Sequence, residues 1–151
     1  MKNSFLMLLM SCMWIPVCAQ AEDWLVTPEE AKKEAVMQAD GVVFRGRSAT
    51  VPNSPQISLV KPSNKYVKAP FDIVVSFVAN EGAKIDPASF KVLYGFFKMD
   101  ITRRVAQQAS VSGEGVIISH ANIPSGKHQL LLNVTDSMNR TGEAEIQIEV
   151  E

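Results

Sequence analysis

The stretch Pro70-Phe71-Asp72-Ile73-Val74-Val75-Ser76-Phe77 decides the fold class. Phe71, Ile73, Val75 and Phe77 fall on every second position, and successive side chains of a strand point to opposite faces, so four large apolar residues share one face. Pro70 precedes the run and Asn80-Glu81-Gly82 follows it, which marks a strand between turns. The face is apolar and its reverse is mixed, so the segment belongs to a sheet that buries one side.

Working outward, the same period recurs. Ile57 and Leu59 alternate ahead of the turn residues Pro62-Ser63-Asn64. Phe90, Val92 and Tyr94 form a second clear run, Gly95 breaks it, and Phe97, Met99 and Ile101 resume it. Val116 and Ile118 make a short strand. Leu130, Leu132 and Val134 pair as a hairpin with Ala144, Ile146, Ile148 and Val150 across the polar loop from Asp136 to Gly142. About seven short strands over Gln56 to Glu151, with turn signals every 8 to 15 residues or so, predict an all-β, immunoglobulin-like sandwich. A small barrel shows the same local alternation, because local pattern does not settle closure.

The N-terminal end of the chain qualifies this picture. Met1 and Lys2 are followed by an apolar run from Phe5 to Val17, then by Ala19-Gln20-Ala21 ahead of Glu22 and Asp23. A positive start, an apolar stretch and small residues at a cleavage site predict a secretory signal removed after Ala21. A membrane anchor needs roughly 20 apolar residues, more than this run provides before Pro16 interrupts it. A lipid-modified Cys18 is disfavoured by Val17, which is larger than the residue normally found there. Cleavage leaves about 130 residues, suited to a single domain, and predicts a periplasmic or secreted protein without a transmembrane anchor. Cys12 and Cys18, the only cysteines, leave with the signal, so the exported chain would hold together without disulfides. Lys2 is the only charge lost from 15 basic and 16 acidic residues. The near-neutral remainder has only Arg103-Arg104 as a basic pair, with Arg45 and Arg47 elsewhere, which argues against nucleic acid or an anionic membrane as partner.

Between signal and sandwich, residues 22–55 predict a short helix and a linker. Thr27, Pro28 and Glu30 spell a capped start: the hydroxyl bonds the first turn, the glutamate reaches back to the cap's amide, and proline gives up an N–H that had no partner. Helix formers run on to Met37, with Ala31, Ala35 and Val36 as the expected docking face and Trp24 and Leu25 as further contacts. Gly41 to Pro55 reads as connector, with Val42-Val43-Phe44 as a candidate edge strand.

Pro70 to Phe77, Gly82-Ala83-Lys84-Ile85-Asp86-Pro87, Ile123-Pro124-Ser125-Gly126-Lys127-His128-Gln129-Leu130 and Val134-Thr135-Asp136 together resemble bacterial immunoglobulin-like or fibronectin III-like domains of exported proteins. In those domains a small-Ile-Asp-Pro loop follows the second strand, a Pro-x-Gly turn feeds the penultimate strand, and Val-x-Asp ends it. The resemblance covers about 56–151. It implies a fold used for spacing, adhesion and accessory binding. The family's Asp-x-x-Gly-Asn turn is replaced here by Asp136-Ser137-Met138-Asn139-Arg140, and no Cys, Trp, Cys trio of the antibody type is present.

No constellation demands a chemistry. His120 and His128 lack the spacing of a zinc pair, and His128, in phase with Leu130 and Leu132, reads as a semi-buried strand residue. Asp86, Asp100, Asp136 and Asn139 sit at strand ends, where turn formation explains them better than calcium, although the loops near Asp86 and Asp136 are where a small ligand or metal would sit if one were carried. The serines lack a Gly-x-Ser-x-Gly elbow and an adjacent base, so a small hydrolase is the weakest reading. Asn133-Val134-Thr135 and Asn139-Arg140-Thr141 match the glycosylation sequon but read as strand and turn. The expectation is therefore a noncatalytic interaction module without cofactor that binds a protein partner, with Trp24, Tyr94, Phe96 and Phe97 as candidate contacts.

Overall fold

A computed structural model describes residues 24–39 and 52–151. The signal-like leader with Cys12 and Cys18, the Val42–Phe44 segment, and Arg45 and Arg47 lie outside the described residues.

Alternation becomes sheet as expected. Strands β1 (Gln56–Lys61), β3 (Phe71–Val78), β7 (Gly115–Ala121) and β6 (Ala109–Ser112) form one sheet in the order β1-β3-β7-β6. Strands β2 (Tyr66–Val67), β9 (Thr141–Val150), β8 (Gly126–Asp136), β4 (Ile85–Tyr94) and β5 (Met99–Asp100) form the other, in that order. All pairings are antiparallel except β2 on β9. Two antiparallel sheets with sequence-distant neighbours make an immunoglobulin-like sandwich. The inward residues of β3 and β7, among them Ile73, Val75, Phe77, Val116 and Ile118, meet Phe90, Val92, Leu130, Leu132, Ile146 and Ile148 from the opposite sheet. Phe77 and Phe90 pack with ring centroids 5.8 Å apart.

The long hairpin of β8 and β9 runs in unbroken register from Gly126↔Val150 to Thr135↔Thr141. Its turn resolves the one departure from the family pattern. Asn139 takes φ of 57°, a left-handed conformation that asparagine tolerates where most residues do not, so it serves where those domains place glycine. Asp136 is buried and organises the turn, its Oδ1 accepting the amides of Met138 at 2.9 Å and Arg140 at 3.0 Å.

The structure departs from expectation between residues 97 and 112. Only Met99 and Asp100 continue as strand. Phe97 lies in the β4–β5 turn, and Ile101 leads into a helix, α2 (Thr102–Gln108), that crosses from the second sheet back to the first. Asp100 Oδ1 accepts the Thr102 amide at 2.9 Å and Thr102 Oγ1 accepts the Val92 amide at 2.9 Å, turning the chain away from the sheet edge. Val105 then buries against the core. Strands β2 and β6 are additions to the seven expected, and both are short edges.

The N-terminal helix, α1 (Pro28–Ala39), forms with the expected capping box: Glu30 Oε2 accepts the Thr27 amide at 2.9 Å, and Thr27 Oγ1 accepts the Glu30 amide at 3.3 Å. Among the described residues no helix is long and apolar enough to cross a membrane.

Candidate functional site

Residues 24–39 act as a strap across one end of the sandwich. The fixed points are apolar first. Leu25 and Val26 are fully buried and belong to the core cluster. Trp24 forms a parallel bridge with Asn122, in the loop between β7 and β8, and the Leu25 amide donates to Asn122 O at 3.0 Å. Leu25 also lines a small void of about 30 Å³ between the sheets, whose walls are entirely apolar.

The helix itself docks by a face different from the one expected. Ala31 packs on the core, but Ala35 is exposed and Val36 is 59% exposed. The residue that turns inward is Glu34, 5% exposed. Its Oε2 accepts the Phe96 amide at 2.8 Å and its Oε1 accepts from Gln38 Nε2 at 3.2 Å. A carboxylate can face inward here because it receives donors it would otherwise have found in water. Gly95 makes room for it. That residue takes φ of +68°, and a β-carbon there would collide with the Glu34 carboxylate. Gln38 Nε2 reaches Lys127 O as well, at 3.3 Å.

At the opposite edge of the strap, Arg104 of α2 grips Glu30 with two nitrogens, at 2.7 and 3.1 Å, and donates to Leu25 O at 3.2 Å. The Arg104 guanidinium holds the Glu30 carboxyl below its ordinary pKa; burial opposes this and the Thr27 amide assists.

Beneath the strap lie two side chains whose roles are now fixed. Tyr94, expected as a partner contact, is only 1% exposed and so unavailable to a partner. Its hydroxyl lies 2.9 Å from His128 Nδ1, and burial, with the charges of Glu34 and Glu30, raises its pKa. His128 Nε2 lies 2.8 Å from Pro124 O. Burial lowers the His128 pKa, offset only in part by the Pro124 carbonyl and by Glu34, so the ring is neutral at pH 7. Both ring nitrogens are engaged. His120 lies on the other sheet, exposed, its amide on Asp72 Oδ1 at 3.2 Å, so the two histidines are not brought together.

Of the other candidates, Phe97 is 61% exposed at the tip of the β4–β5 turn, edge-to-face with half-buried Phe96 at 5.4 Å and 81°. Trp24 is half-buried at the start of the strap.

The far end of the sandwich carries the acidic positions considered for a ligand. Asp136 Oδ2 accepts Arg140 Nε at 2.8 Å, and Arg140 continues to Glu81 Oε2 at 2.8 Å and Asn80 O at 3.0 Å. Burial pushes the Asp136 carboxyl up, but the Arg140 amide and guanidinium and the Met138 amide outweigh it and leave the pKa below its ordinary value. Both Asp136 oxygens are thus spent inside the β8–β9 turn, and Arg140 ties that turn to the Asn80–Glu81 loop. Asp86 is exposed and caps its own turn through the Ala88 amide at 3.0 Å. Among the described residues no group of three or more His, Cys, Asp or Glu side chains is arranged to hold a metal ion.

No protein-family model and no curated protein matches the sequence. Solved structures do. CopC from Methylosinus trichosporium OB3b is 17% identical with a TM-score of 0.42, over 64% of this chain and 94% of that one. The fibronectin(III)-like modules of CbhA from Clostridium thermocellum are 17% identical with a TM-score of 0.39, over 63% and 94%. An engineered protein is 12% identical with a TM-score of 0.41, over 67% of this chain and 21% of its own. Similarities of this size carry no inference about what the chain binds or does.

Proposed function

We propose that the chain is a noncatalytic, exported interaction module that presents the strap-covered end of its sandwich to a protein partner in the periplasm or cell envelope. The observation that carries this reading is Phe97, held out on a tight turn while its neighbour Phe96 is anchored through its amide to the strap. A large aromatic on a rigid turn loses little conformational freedom on binding, and aromatic residues, phenylalanine among them, are enriched at the cores of protein interfaces. Val36, on the outer face of α1, adds apolar surface to the strap. The noncatalytic part of the reading is supported by His128, whose ring nitrogens are both engaged within the chain. The exported part rests on the leader pattern ending at Ala21.

The test is photo-crosslinking from position 97 in cells. The expected result is a discrete adduct with one envelope protein, absent when the same group is placed at Ser58, exposed on β1 at the sheet edge. Equal labelling from both positions would overturn the assignment of this end as the contact surface.

A further inference from the structure

His128 sits where the fastenings of the strap converge. Its Nε2 partner is Pro124 O, in the same loop whose Asn122 pairs with Trp24 and accepts the Leu25 amide. The preceding residue, Lys127, offers its carbonyl to Gln38 from the far end of α1. The Nδ1 partner, Tyr94, immediately precedes the Gly95-Phe96 backbone on which Glu34 is seated. One imidazole therefore supports the loop under the start of the strap and adjoins the backbone under its end.

The hydrogen bonds dictate the tautomer. A carbonyl oxygen only accepts, so Nε2 carries the proton and donates to Pro124 O, and Nδ1 accepts from the Tyr94 hydroxyl. A second proton is disfavoured in this arrangement. Nδ1–H could donate to Tyr94 Oη only if the hydroxyl proton turned away and gave up Nδ1 as its acceptor, and a cation would sit at a position 2% exposed.

We propose that protonation of His128 unlatches the Trp24–Ala39 strap, so that docking of the strap is acid-sensitive. This inference stands on the geometry of the latch and not on the identity of any partner. Glu34 faces the ring from α1 and favours the cation by charge, and Tyr94 faces it from β4. Lys127, next in its own strand, is exposed and lies across from Glu149 of β9. Burial outweighs the help from Glu34 in the docked state, and the packing of α1 on β8 supplies part of that cover; under the proposal, water reaching the ring when the strap leaves more than offsets the loss of the Glu34 charge.

The docked state thus binds the proton less tightly than the undocked one. A group whose affinity is lowered in one state destabilises that state as pH falls. Docking is at full strength above the ordinary imidazole pKa of about 6.5 and weakens by up to about tenfold per pH unit below it, until the docked-state value is passed. The Glu30–Arg104 pair loosens only lower, since Glu30 titrates below the ordinary carboxylate range.

The experiment is amide hydrogen exchange of the full chain at pH 7.5, 6.5 and 5.5, corrected for intrinsic rates and read at residues 25–39 and in β8 and β9. The expected result is a loss of strap protection of up to about fivefold between pH 6.5 and 5.5, and up to about tenfold from pH 7.5, with β8 and β9 unchanged. In His128→Gln, whose amide still donates to Pro124 and accepts from Tyr94 without titrating, the pH dependence disappears. Tyr94→Phe removes the hydroxyl partner of Nδ1 and moves the onset along the pH axis; a purely structural role would lower protection equally at every pH and leave the onset in place. Strap protection that is constant from pH 7.5 to 5.5, that falls equally in His128→Gln, or that falls together with β8 and β9 overturns the proposal. So does an unmoved onset in Tyr94→Phe.

Discussion

Truncating Leu25 to alanine tests whether the strap is part of the core. The side chain is 1% exposed and lines an apolar void that is already about 30 Å³. Three carbons leave the interior, worth about 2 kcal/mol at about 0.8 kcal/mol each. The void grows by their volume, and at about 24 cal/mol per Å³ this adds about 1–2 kcal/mol, for a total of about 3–4 kcal/mol. A ceiling applies, because a chain can release a locally docked segment and keep the rest of its structure. The loss on Leu25→Ala therefore cannot exceed the loss on deleting residues 22–40. At about 3–5 °C per kcal/mol for a domain of this size, thermal unfolding followed by circular dichroism should fall by about 10–15 °C in the point variant, and by at least as much in the deletion. A shift of under about 2 °C in both would mean that Leu25 and the strap contribute nothing to the core, and the docking argument would fail. A larger fall in the point variant than in the deletion would refute the ceiling.

Two further outcomes follow from the polar contacts. Gly95→Ala forces a side chain into φ of +68° and into the Glu34 carboxylate, so it should cost about 2 kcal/mol, of which about 1 kcal/mol is backbone strain. In a Glu34→Ala background the cost should shrink to the strain alone, and full additivity in the double-mutant cycle would show that the two residues do not meet. At the other end, Asp136 titrates below its ordinary value in the fold, so its contribution is complete above about pH 4 and is lost as pH falls through the folded value. In Arg140→Ala the depressing guanidinium is gone and only backbone amides oppose burial, so the rise of stability from pH 2 to 4 in denaturant titrations should flatten; an unchanged slope would assign the acid dependence to other carboxyls.

The two-sheet core was legible because it rests on one signal, alternation of large apolar residues, which survives translation into structure wherever a sheet buries one face. The same signal misread residues 97–101. Phe97, Met99 and Ile101 alternate faultlessly, yet the helix that follows begins at Ile101 without a side-chain cap and is set by Thr102 bonding Val92 ten residues back. The one local signal is Asp100, whose carboxylate accepts the Thr102 amide two residues on, and an aspartate at a strand end reads equally as a simple turn. Strands β2 and β6 escaped notice because an edge strand of two to four residues buries too little to need a pattern. At the candidate site the capping box of α1 was readable, since both of its partners lie within four residues. The docking face was not. Hydrophobic spacing selects Ala35 and Val36, whereas the structure buries Glu34 against an amide 62 residues away, a contact to which no count of apolar positions is sensitive. Tyr94 was misplaced for a related reason: an aromatic run suggests a surface patch, but the hydroxyl is consumed by His128.

The strap divides its attachment between two kinds of interaction, and the division makes the two separable by experiment. Leu25 and Val26 contribute burial that is indifferent to pH and salt, with no directional demand. Gln38 on Lys127 O contributes about 1 kcal/mol or less and the carboxylates of Glu34 and Glu30 about 1.5–3 kcal/mol each, and these contacts set the angle and register at which the plug of Leu25 and Val26 enters. Weakening the plug should therefore lower strap protection by the same factor at every pH, whereas changing His128 should alter only how protection depends on pH. If the two substitutions gave the same signature, the plug and the latch would be one cooperative unit; if they give different ones, the apolar pair holds the strap and the polar groups decide when it is held.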